Sequence, residues 1–328
     1  MVMAMKNTTK SKAILVTIIG LVIVLIITIV FSQKMFIKDV DNTESQDYHT
    51  LVVDGKSYEY NTSIVSILLL GLDVENIDER GQADAIELLL LDREHKEIYL
   101  LSIPRDTMTD IRLFDVEGND LGWQKQHLNL AYAYGSTPES GCMYTSQAVS
   151  RLLKNIPITR YAALNISMLE RVHNVVGTLE VKVPNNSLVS YDSSWREGQT
   201  ITLTSDNVET FLRARDTDQD FSNQDRMERQ KAYLIAYFEA FKKELEKDFD
   251  NTVAKVYDII NNLTSNISFS DMEDFANMVL EYHFDADANC YTLEGKNIVG
   301  NYHDEYNVDQ EALLALVKKL FYVEEEEQ

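Results

Sequence analysis

The chain has 328 residues, of which 45% are hydrophobic, and its 53 acidic against 30 basic residues give a formal net charge of -23. This length can bury one or two domain cores, and the apolar fraction excludes a disordered or fibrous protein. Because proteins that grip a phosphate backbone need clustered Lys and Arg, the acidic balance predicts no nucleic-acid partner. Cys142 and Cys290 are the only cysteines, too few by themselves for a disulfide framework or a zinc site.

The first long apolar run, Ala13–Phe31, contains no charged residue. As a helix it would be about 28 Å long, close to the hydrocarbon thickness of a bilayer. Lysines precede it, and the first acidic residue is Asp39, so the positive-inside rule predicts a cytoplasmic tail at residues 1–12 and an extracytoplasmic remainder. We therefore expect a single-pass protein of the cell membrane. The alternative, a cleaved signal peptide, requires a shorter apolar core and a small-residue cleavage site that residues 29–33 do not offer.

Beyond the predicted transmembrane anchor the composition changes twice. Residues 32–63 are polar and acidic and predict a stalk with one edge hairpin, and residues 323–328 predict a solvated acidic tail. Between them, residues 64–322 alternate strand and helix patterns and predict one catalytic domain.

Apolar or alternating runs predict strands at Val65–Leu72, Ala85–Asp92, Glu97–Ile103 and Leu179–Val183. Helical spacing predicts helices at Tyr144–Leu153, Leu169–Val176, Arg226–Phe249, Asn251–Asn262, Asp271–Tyr282 and Asp309–Tyr322. The alternation predicts an α/β fold with a mixed central sheet flanked by helices on both faces.

Polar side chains follow the early strands at the points where these strands end. Asp73 and Asp84 bracket the connection between the first two strands, and Arg105 and Asp106 follow the third. In open α/β sheets, ligands gather beyond the carboxyl ends of strands. These residues are therefore candidates for a binding site.

Further arginines lie before and at the start of the long helix. Arg213 and Arg215 alternate along an extended segment and so project to one side. Arg226, Arg229 and Gln230 are spaced i, i+3, i+4 and share one face of the first helical turns, where the helix dipole favours an anion. Guanidinium groups suit a phosphate or diphosphate, and a pair of carboxylates suits Mg²⁺. The pattern favours phosphoryl transfer, which needs positioning and charge neutralisation.

In this order, these motifs resemble those of the LytR-CpsA-Psr (LCP) family of cell-wall phosphotransferases. The stretches that carry the resemblance are ILLLGLD, GQAD, LLSIPRDT, LNLAYAYG, RARD and DRMERQ. With Thr264–Ser268 and Tyr291–Gly295, the resemblance covers Ile64–Phe321. It implies an extracytoplasmic, membrane-anchored enzyme that takes a glycopolymer, such as teichoic acid or capsule, from a polyprenyl diphosphate carrier. The polymer would then be joined to a peptidoglycan hydroxyl through a phosphodiester.

Site residues follow from the resemblance by position. It implies that Asp73 and Asp84 are the Mg²⁺ carboxylates. It also implies that the diphosphate is bound by side chains from three segments: Arg105, Arg213, Arg215, Arg226, Arg229 and Gln230. Asp106 or Asp225 would act as a base or orient an arginine, and the sequence does not choose between them.

The chain departs from the usual family pattern in two places. Gln82 stands where an Arg usually lies two residues before the metal-binding Asp, and the stretch His127–Tyr132 lacks the usual Lys and His. Losing one charged hydrogen bond to a phosphate costs roughly 1.5–3 kcal/mol, which predicts a slower or differently tuned enzyme. The alternative is a catalytically weak regulator that binds polyprenyl phosphate. A third hypothesis, a cytoplasmic transcription factor, conflicts with the anchor and the acidic charge.

Overall fold

The computed structural model describes residues 48–214, 222–267, 270–300 and 303–324. The predicted anchor Ala13–Phe31 and the predicted site residue Arg215 lie outside these ranges. Within them, no helix combines the length and the apolar character that crossing a bilayer requires.

Strands and helices follow each other along the whole described chain. The strands are β1 (Thr50–Val53), β2 (Lys56–Tyr60), β3 (Ile64–Leu72), β4 (Ala83–Asp92), β5 (Glu97–Ser102), β6 (Met108–Phe114), β7 (Asp120–His127), β8 (Arg160–Leu164), β9 (Leu179–Lys182), β10 (Thr200–Leu203), β11 (Thr264–Ser265), β12 (Cys290–Thr292), β13 (Gly295–Val299), β14 (Asp304–Val308) and β15 (Tyr322–Glu324). The α-helices are α1 (Pro138–Leu152), α2 (Leu169–Val176), α3 (Val208–Arg213), α4 (Ser222–Lys247), α5 (Phe249–Ile260), α6 (Ser270–Glu281) and α7 (Gln310–Phe321).

Six strands form the central sheet in the order β11-β8-β3-β4-β5-β12. β3 pairs in parallel with β8 and antiparallel with β4, β4 is antiparallel to β5, and β5 is parallel to β12. The predicted mixed sheet is therefore confirmed. β3 and β4 are buried over nearly their whole length because both faces of the sheet are covered.

The two faces of the sheet contribute to two separate hydrophobic cores. Along β3, Ile67 and Leu69 belong to the core that α2, α3, α4, α5 and α6 cover. Leu68 and Leu70 belong to the opposite core, which α1 and α7 cover. This alternation is the two-residue period of a strand, and it places helices on both faces, as the sequence predicts.

A smaller antiparallel sheet joins the two ends of the described chain. The hairpin β1–β2 pairs with β15, with Tyr60 opposite Tyr322 and Tyr58 opposite Glu324. The Tyr60 and Tyr322 rings meet edge to face at 6.0 Å. The expected boundaries therefore shift: the end of the predicted stalk is part of the fold, and the predicted acidic tail begins inside a strand, because pairing with β2 satisfies the backbone there.

Helix α1 begins six residues before its predicted start at Tyr144. Its first turn carries Pro138, and the side chains of Thr137 and Ser140 form a reciprocal capping box. This start signal was overlooked because the apolar periodicity begins later. The long helix α4 ends at Lys247 rather than Phe249, since Asp248 accepts from the backbone N–H of Asn251 at 3.2 Å and caps α5.

Candidate active site

The connection between β3 and β4 brings Asp73 and Asp84 to the same corner. The strand register shifts between Gly71 and Leu72, so that Asp84 is an extra, bulged residue opposite them. Its carboxylate is fully buried. At the base of the loop, Gln82 N–H donates to Asp73 Oδ1 at 2.6 Å, and Asp73 N–H donates to the Gln82 carbonyl at 3.2 Å.

Gly81 makes this close approach feasible. A Cβ atom at this position would lie 2.7 Å from Val74 Cγ1 and 2.8 Å from Asp73 Oδ1. Any larger residue would therefore push the Asp73 carboxylate away from the Gln82 backbone.

Arg105 lies at the centre of the cluster, just beyond β5. Its Nη1 donates to Asp84 Oδ1, its Nη2 to Gln82 Oε1 at 2.9 Å, and its Nε to Asp106 Oδ1 at 3.2 Å. A guanidinium has five N–H donors. Within the described part of the chain, three of these are engaged, which leaves two for a bound oxyanion.

Two further arginines approach the same carboxylates. Arg226 is completely buried, donates through Nη2 to Asn223 Oδ1 and attracts the Asp84 carboxylate. Arg213, at the carboxyl end of α3, attracts both Asp73 and Asp84. It is also paired with Glu209. Segments that are distant in the sequence thus converge here.

Arg229 and Gln230 contact a different part of the molecule. Arg229 donates through Nε to the Phe211 carbonyl at 2.8 Å and through Nη2 to the Ala214 carbonyl, and Gln230 Nε2 donates to the Leu212 carbonyl at 3.1 Å. These carbonyls belong to the carboxyl end of α3, which helical geometry leaves without intrahelical donors. In the described chain, Arg229 and Gln230 therefore fasten α4 to α3.

Of the two acidic residues that the sequence offers as a base, Asp106 lies in the cluster. It accepts from Arg105, and its Oδ2 accepts from Asn223 Nδ2 at 3.2 Å. Asp225 instead lies beside Arg229, with which it interacts electrostatically. Its backbone carbonyl accepts from Asn185 at 2.9 Å.

Burial sets the electrostatics of the cluster. It raises the pKa of Asp84 from 3.8 to about 7, although Arg105 and Arg226 act in the opposite direction. Burial also raises the pKa of Asp73, against the attraction of Arg105 and Arg213. The same loss of water lowers the pKa of the Arg213 guanidinium. Two desolvated carboxylates favour either a proton or a cation at this corner.

The oxygen donors present fit a Mg²⁺ ion. Asp84 Oδ2 is buried and accepts no hydrogen bond from any described residue. Among the described residues, no group of three or more His, Cys, Asp or Glu could hold a metal, so the candidate ligands within these ranges are Asp73 and Asp84. This is the usual number of carboxylates for Mg²⁺, which completes its shell with water and phosphate oxygens.

Two residues of the cluster, Asn129 and Asn223, were overlooked in the sequence as partners of the predicted site, whereas Gln82 was noted only as a departure from the family pattern. Gln82 accepts from both Arg105 and Asn129, the latter at 2.8 Å, and Asn223 links Asp106 to Arg226. Amides lack the charge that singled out the arginines. The available signal was that Gln82 and Asn129 lie inside GQAD and LNLAYAYG, and that Asn223 lies two residues before DRMERQ.

Buried arginines thus surround two carboxylates at the strand ends of an α/β sheet. The sequence profile of the LytR_cpsA_psr family matches residues 27–321. The chain therefore belongs to the LytR-CpsA-Psr family, and the resemblance seen in its motifs is confirmed.

Two similar proteins are named as transferases. The polyisoprenyl-teichoic acid–peptidoglycan teichoic acid transferase TagU of Enterococcus faecalis is 29% identical over 276 residues, which cover 81% of this chain and 83% of TagU. TagU of Bacillus cereus is 33% identical over 153 residues, 46% of this chain and 44% of that protein.

Solved structures share the fold. The crystal structure of TagV from B. subtilis superposes with a TM-score of 0.59 at 24% identity, and the match covers 79% of this chain and 96% of TagV. The structure titled TagT bound to LI-WTA gives a TM-score of 0.56 at 23% identity, and the match covers 79% of this chain and 90% of TagT. Both contain the same mixed α/β architecture.

Proposed function

We propose that this protein transfers a glycopolymer from a polyprenyl diphosphate carrier to peptidoglycan and forms a phosphodiester bond. The observation that carries the proposal is the convergence of Arg105, Arg213 and Arg226 on Asp73 and Asp84. A diphosphate supplies the negative charge and the acceptor oxygens that these guanidinium groups can bind. The name of the TagU relative describes a transfer of this kind for that protein.

Arg105 would bind the diphosphate through its two remaining N–H groups, in the bidentate manner that phosphate oxygens favour. Arg213 and Arg226 would add positive charge from the other two segments. Arg215 joins this set by the family resemblance alone. Arg229 and Gln230 would support binding indirectly, because they hold the end of α3 that carries Arg213.

The reaction exchanges the phosphoanhydride bond of the carrier diphosphate for a new phosphate ester. The peptidoglycan hydroxyl oxygen would attack the phosphorus that bears the glycopolymer, and the bond from this phosphorus to the bridging oxygen would break. Polyprenyl phosphate then leaves, and the hydroxyl proton passes to a base. We assign this role to Asp106, because its side chain is 22% exposed and lies beside Arg105.

Asp73 and Asp84 are proposed to hold Mg²⁺, which when bound would neutralise phosphate charge in the transition state. Arg105 already occupies Oδ1 of Asp84, so Oδ2 is the oxygen left for a cation. Burial keeps both carboxylates poorly hydrated, which strengthens any charge interaction they make.

A second function, that of a regulator which binds the carrier lipid without efficient turnover, is favoured by one observation. Gln82 is neutral and uses its side-chain oxygen for Arg105 and Asn129. The corner therefore offers the diphosphate one guanidinium fewer than the usual family pattern.

The test is a transfer assay with the full-length protein in lipid nanodiscs. Polyprenyl-diphosphate-linked teichoic acid, Mg²⁺ and peptidoglycan would be supplied, and phosphodiester-linked polymer in the insoluble wall fraction would be measured. Transfer that Arg105→Ala removes supports the enzyme. Tight carrier binding with no transfer would instead support the regulator.

We further propose that the domain faces the outside of the cell membrane, on the evidence of the apolar run Ala13–Phe31 and the lysines before it. Protease added to intact, wall-stripped cells should then digest the domain, whereas a cytoplasmic control protein stays whole. Protection of the domain would contradict this orientation.

A further inference from the structure

One of the three side chains that hold Arg105 is neutral: Gln82, beside the carboxylates of Asp84 and Asp106. Gln82 Oε1 accepts from Arg105 Nη2 at 2.9 Å and from Asn129 Nδ2 at 2.8 Å. An arginine can only donate hydrogen bonds, so the Gln82 atom facing Arg105 must be the carbonyl oxygen. Asn129 must then present its NH2 group to the same oxygen, and this fixes the orientation of both amides.

Asn129 also holds the backbone of Arg105. It lies in the 3₁₀ helix Leu128–Tyr134 between β7 and α1, and its backbone N–H donates to the Arg105 carbonyl at 3.1 Å. Its side chain is buried, so water does not compete for these bonds. One residue thus fixes Arg105 at the main chain and, through Gln82, at the guanidinium.

The direction in which the Arg105 guanidinium points depends on its hydrogen bond to Gln82. Nε and Nη1 are bound to Asp106 and Asp84, and the Gln82 oxygen is the acceptor for Nη2. Without it, the guanidinium would keep only its two carboxylate partners and could tilt about the line that joins them, which would turn its two remaining N–H groups away from a bound oxyanion. A bidentate contact is sensitive to such a rotation because both hydrogen bonds must be linear at once.

We propose that Asn129 is a positioning residue for Arg105 and acts through Gln82. The inference rests on the proposed function, since it concerns how the proposed diphosphate-binding arginine is aligned. It makes the LNLAYAYG stretch, in which the usual Lys and His are missing, a part of the binding machinery through its asparagine.

The test is a double-mutant cycle in the full-length protein, with farnesyl diphosphate as the probe and calorimetry as the measurement. Asn129→Leu, Gln82→Leu and the double variant are compared with the unmodified chain. We expect Asn129→Leu to weaken binding about tenfold in the Gln82 background, as the loss of one hydrogen bond near a charge would. In the Gln82→Leu background, the same change should weaken binding less than twofold, because the Gln82 oxygen that links Asn129 to Arg105 is already absent.

Asn289→Leu is the matched control. Asn289 is also a buried asparagine, and it donates to a carboxylate, Glu97 Oε2, at 2.7 Å and to the Ile98 carbonyl at 2.9 Å at the other end of β5. Its loss should lower thermal stability and leave farnesyl diphosphate affinity unchanged. If Asn129→Leu does not fold, Asn129→Asp replaces it, since aspartate keeps the shape and cannot donate.

Equal losses from the Asn129 change in both backgrounds would overturn the inference, as would unchanged affinity in Asn129→Leu. The transfer assay separates this result from the proposed function. Coupling between the two residues without any polymer transfer leaves the inference standing and removes the proposed function. Polymer transfer without coupling between the two residues would support the proposed function and overturn the inference.

Discussion

One guanidinium group, that of Arg105, meets three different acceptors in the described chain. It binds Asp84, Gln82 and Asp106, and its side chain is only 13% exposed. Gln82 and Asp84 come from the end of the connection between β3 and β4 and the start of β4, and Asp106 directly follows Arg105 in the sequence. The geometry of the candidate site therefore depends on contacts between side chains that come from two different parts of the chain.

We expect Arg105→Ala to reduce polymer transfer at least 100-fold, because two charged hydrogen bonds to phosphate are lost at roughly 1.5–3 kcal/mol each. The fold should survive, since the buried Asp84, whose pKa is already raised to about 7, can take up a proton. Transfer rate and thermal melting are the measurements. The control is Arg112→Ala, which removes a surface pair with Asp120 and should leave both values nearly unchanged. A normal rate in Arg105→Ala would refute the assignment.

The sequence predicted the charged members of the site better than the neutral ones. Asp84 and Arg105 were found because a charge directly beyond an apolar strand has few structural explanations. Asn223 and Asn129 were overlooked because an amide in a loop or a first helical turn is common for local reasons. Only the tertiary contact distinguishes these amides from caps and turns.

The junction between α3 and α4 shows how spacing misled at the level of elements. Arg226, Arg229 and Gln230 do share one helix face, yet only Arg226 approaches Asp84, while the other two meet the carbonyl end of α3. Three residues of helix advance a side chain by about 4.5 Å. That shift is enough to move a side chain from the neighbourhood of Asp84 to the end of α3.

Arg229→Met should therefore act mainly on stability. The methionine fills a similar space but leaves the carbonyls of Phe211 and Ala214 without their donors, at a cost of about 3 kcal/mol in the free energy of unfolding. Chemical denaturation measures this loss. Farnesyl diphosphate affinity should fall far less than in Arg105→Ala, and an affinity loss with unchanged stability would show that Arg229 binds ligand directly.

Strand β4 carries a second buried carboxyl group, Glu87, inside the sheet. Burial raises its pKa from 4.5 to about 8, against a hydrogen bond from Ser102 Oγ at 2.7 Å. Between these two pH values the folded chain keeps a proton that the unfolded chain has released. The free energy of unfolding therefore falls as the pH rises through this interval.

Glu87→Gln should remove that decline, because glutamine has the same shape and no proton to release. Relative to the unmodified protein, the variant should gain a few kcal/mol of stability between pH 5 and pH 8. Denaturation curves across this range provide the measurement, with the exposed Glu59→Gln in β2 as the control. Parallel pH profiles for Glu87→Gln and the unmodified chain would mean that Glu87 is ionised in the folded state.

Over the whole molecule, the central sheet was predictable from the sequence, whereas the smaller strand pairs outside it were not. β3 and β4 are long apolar runs buried on both faces, so their sequence admits few other structures. The ribbon β13–β14 is exposed or half-buried throughout, and β7 carries charged and polar side chains. Such strands are stabilised by hydrogen bonds to their partner strands, and the amino-acid composition does not reveal this pairing.

The sheet formed by β1, β2 and β15 sets where the folded domain begins. Tyr60 N–H donates to the His49 carbonyl and Asn61 N–H to the Phe321 carbonyl, both at 2.8 Å. A chain that lacks residues 1–60 loses the first of these bonds and the packing of Tyr58 and Tyr60. We expect it to melt roughly 5–10 °C below a chain that lacks only residues 1–47. Equal melting temperatures would show that the hairpin adds nothing to the fold.

This arrangement also determines how a mechanical force on the protein would be distributed among the strands. Any tension that arrives through the residues before Tyr48 reaches β1 first, then β2, and from β2 it divides between β3 and β15. The small sheet can give way strand by strand before β3 bears the full load. Asp73 and its neighbours lie at the far end of β3, so the small sheet would yield before that tension reached them.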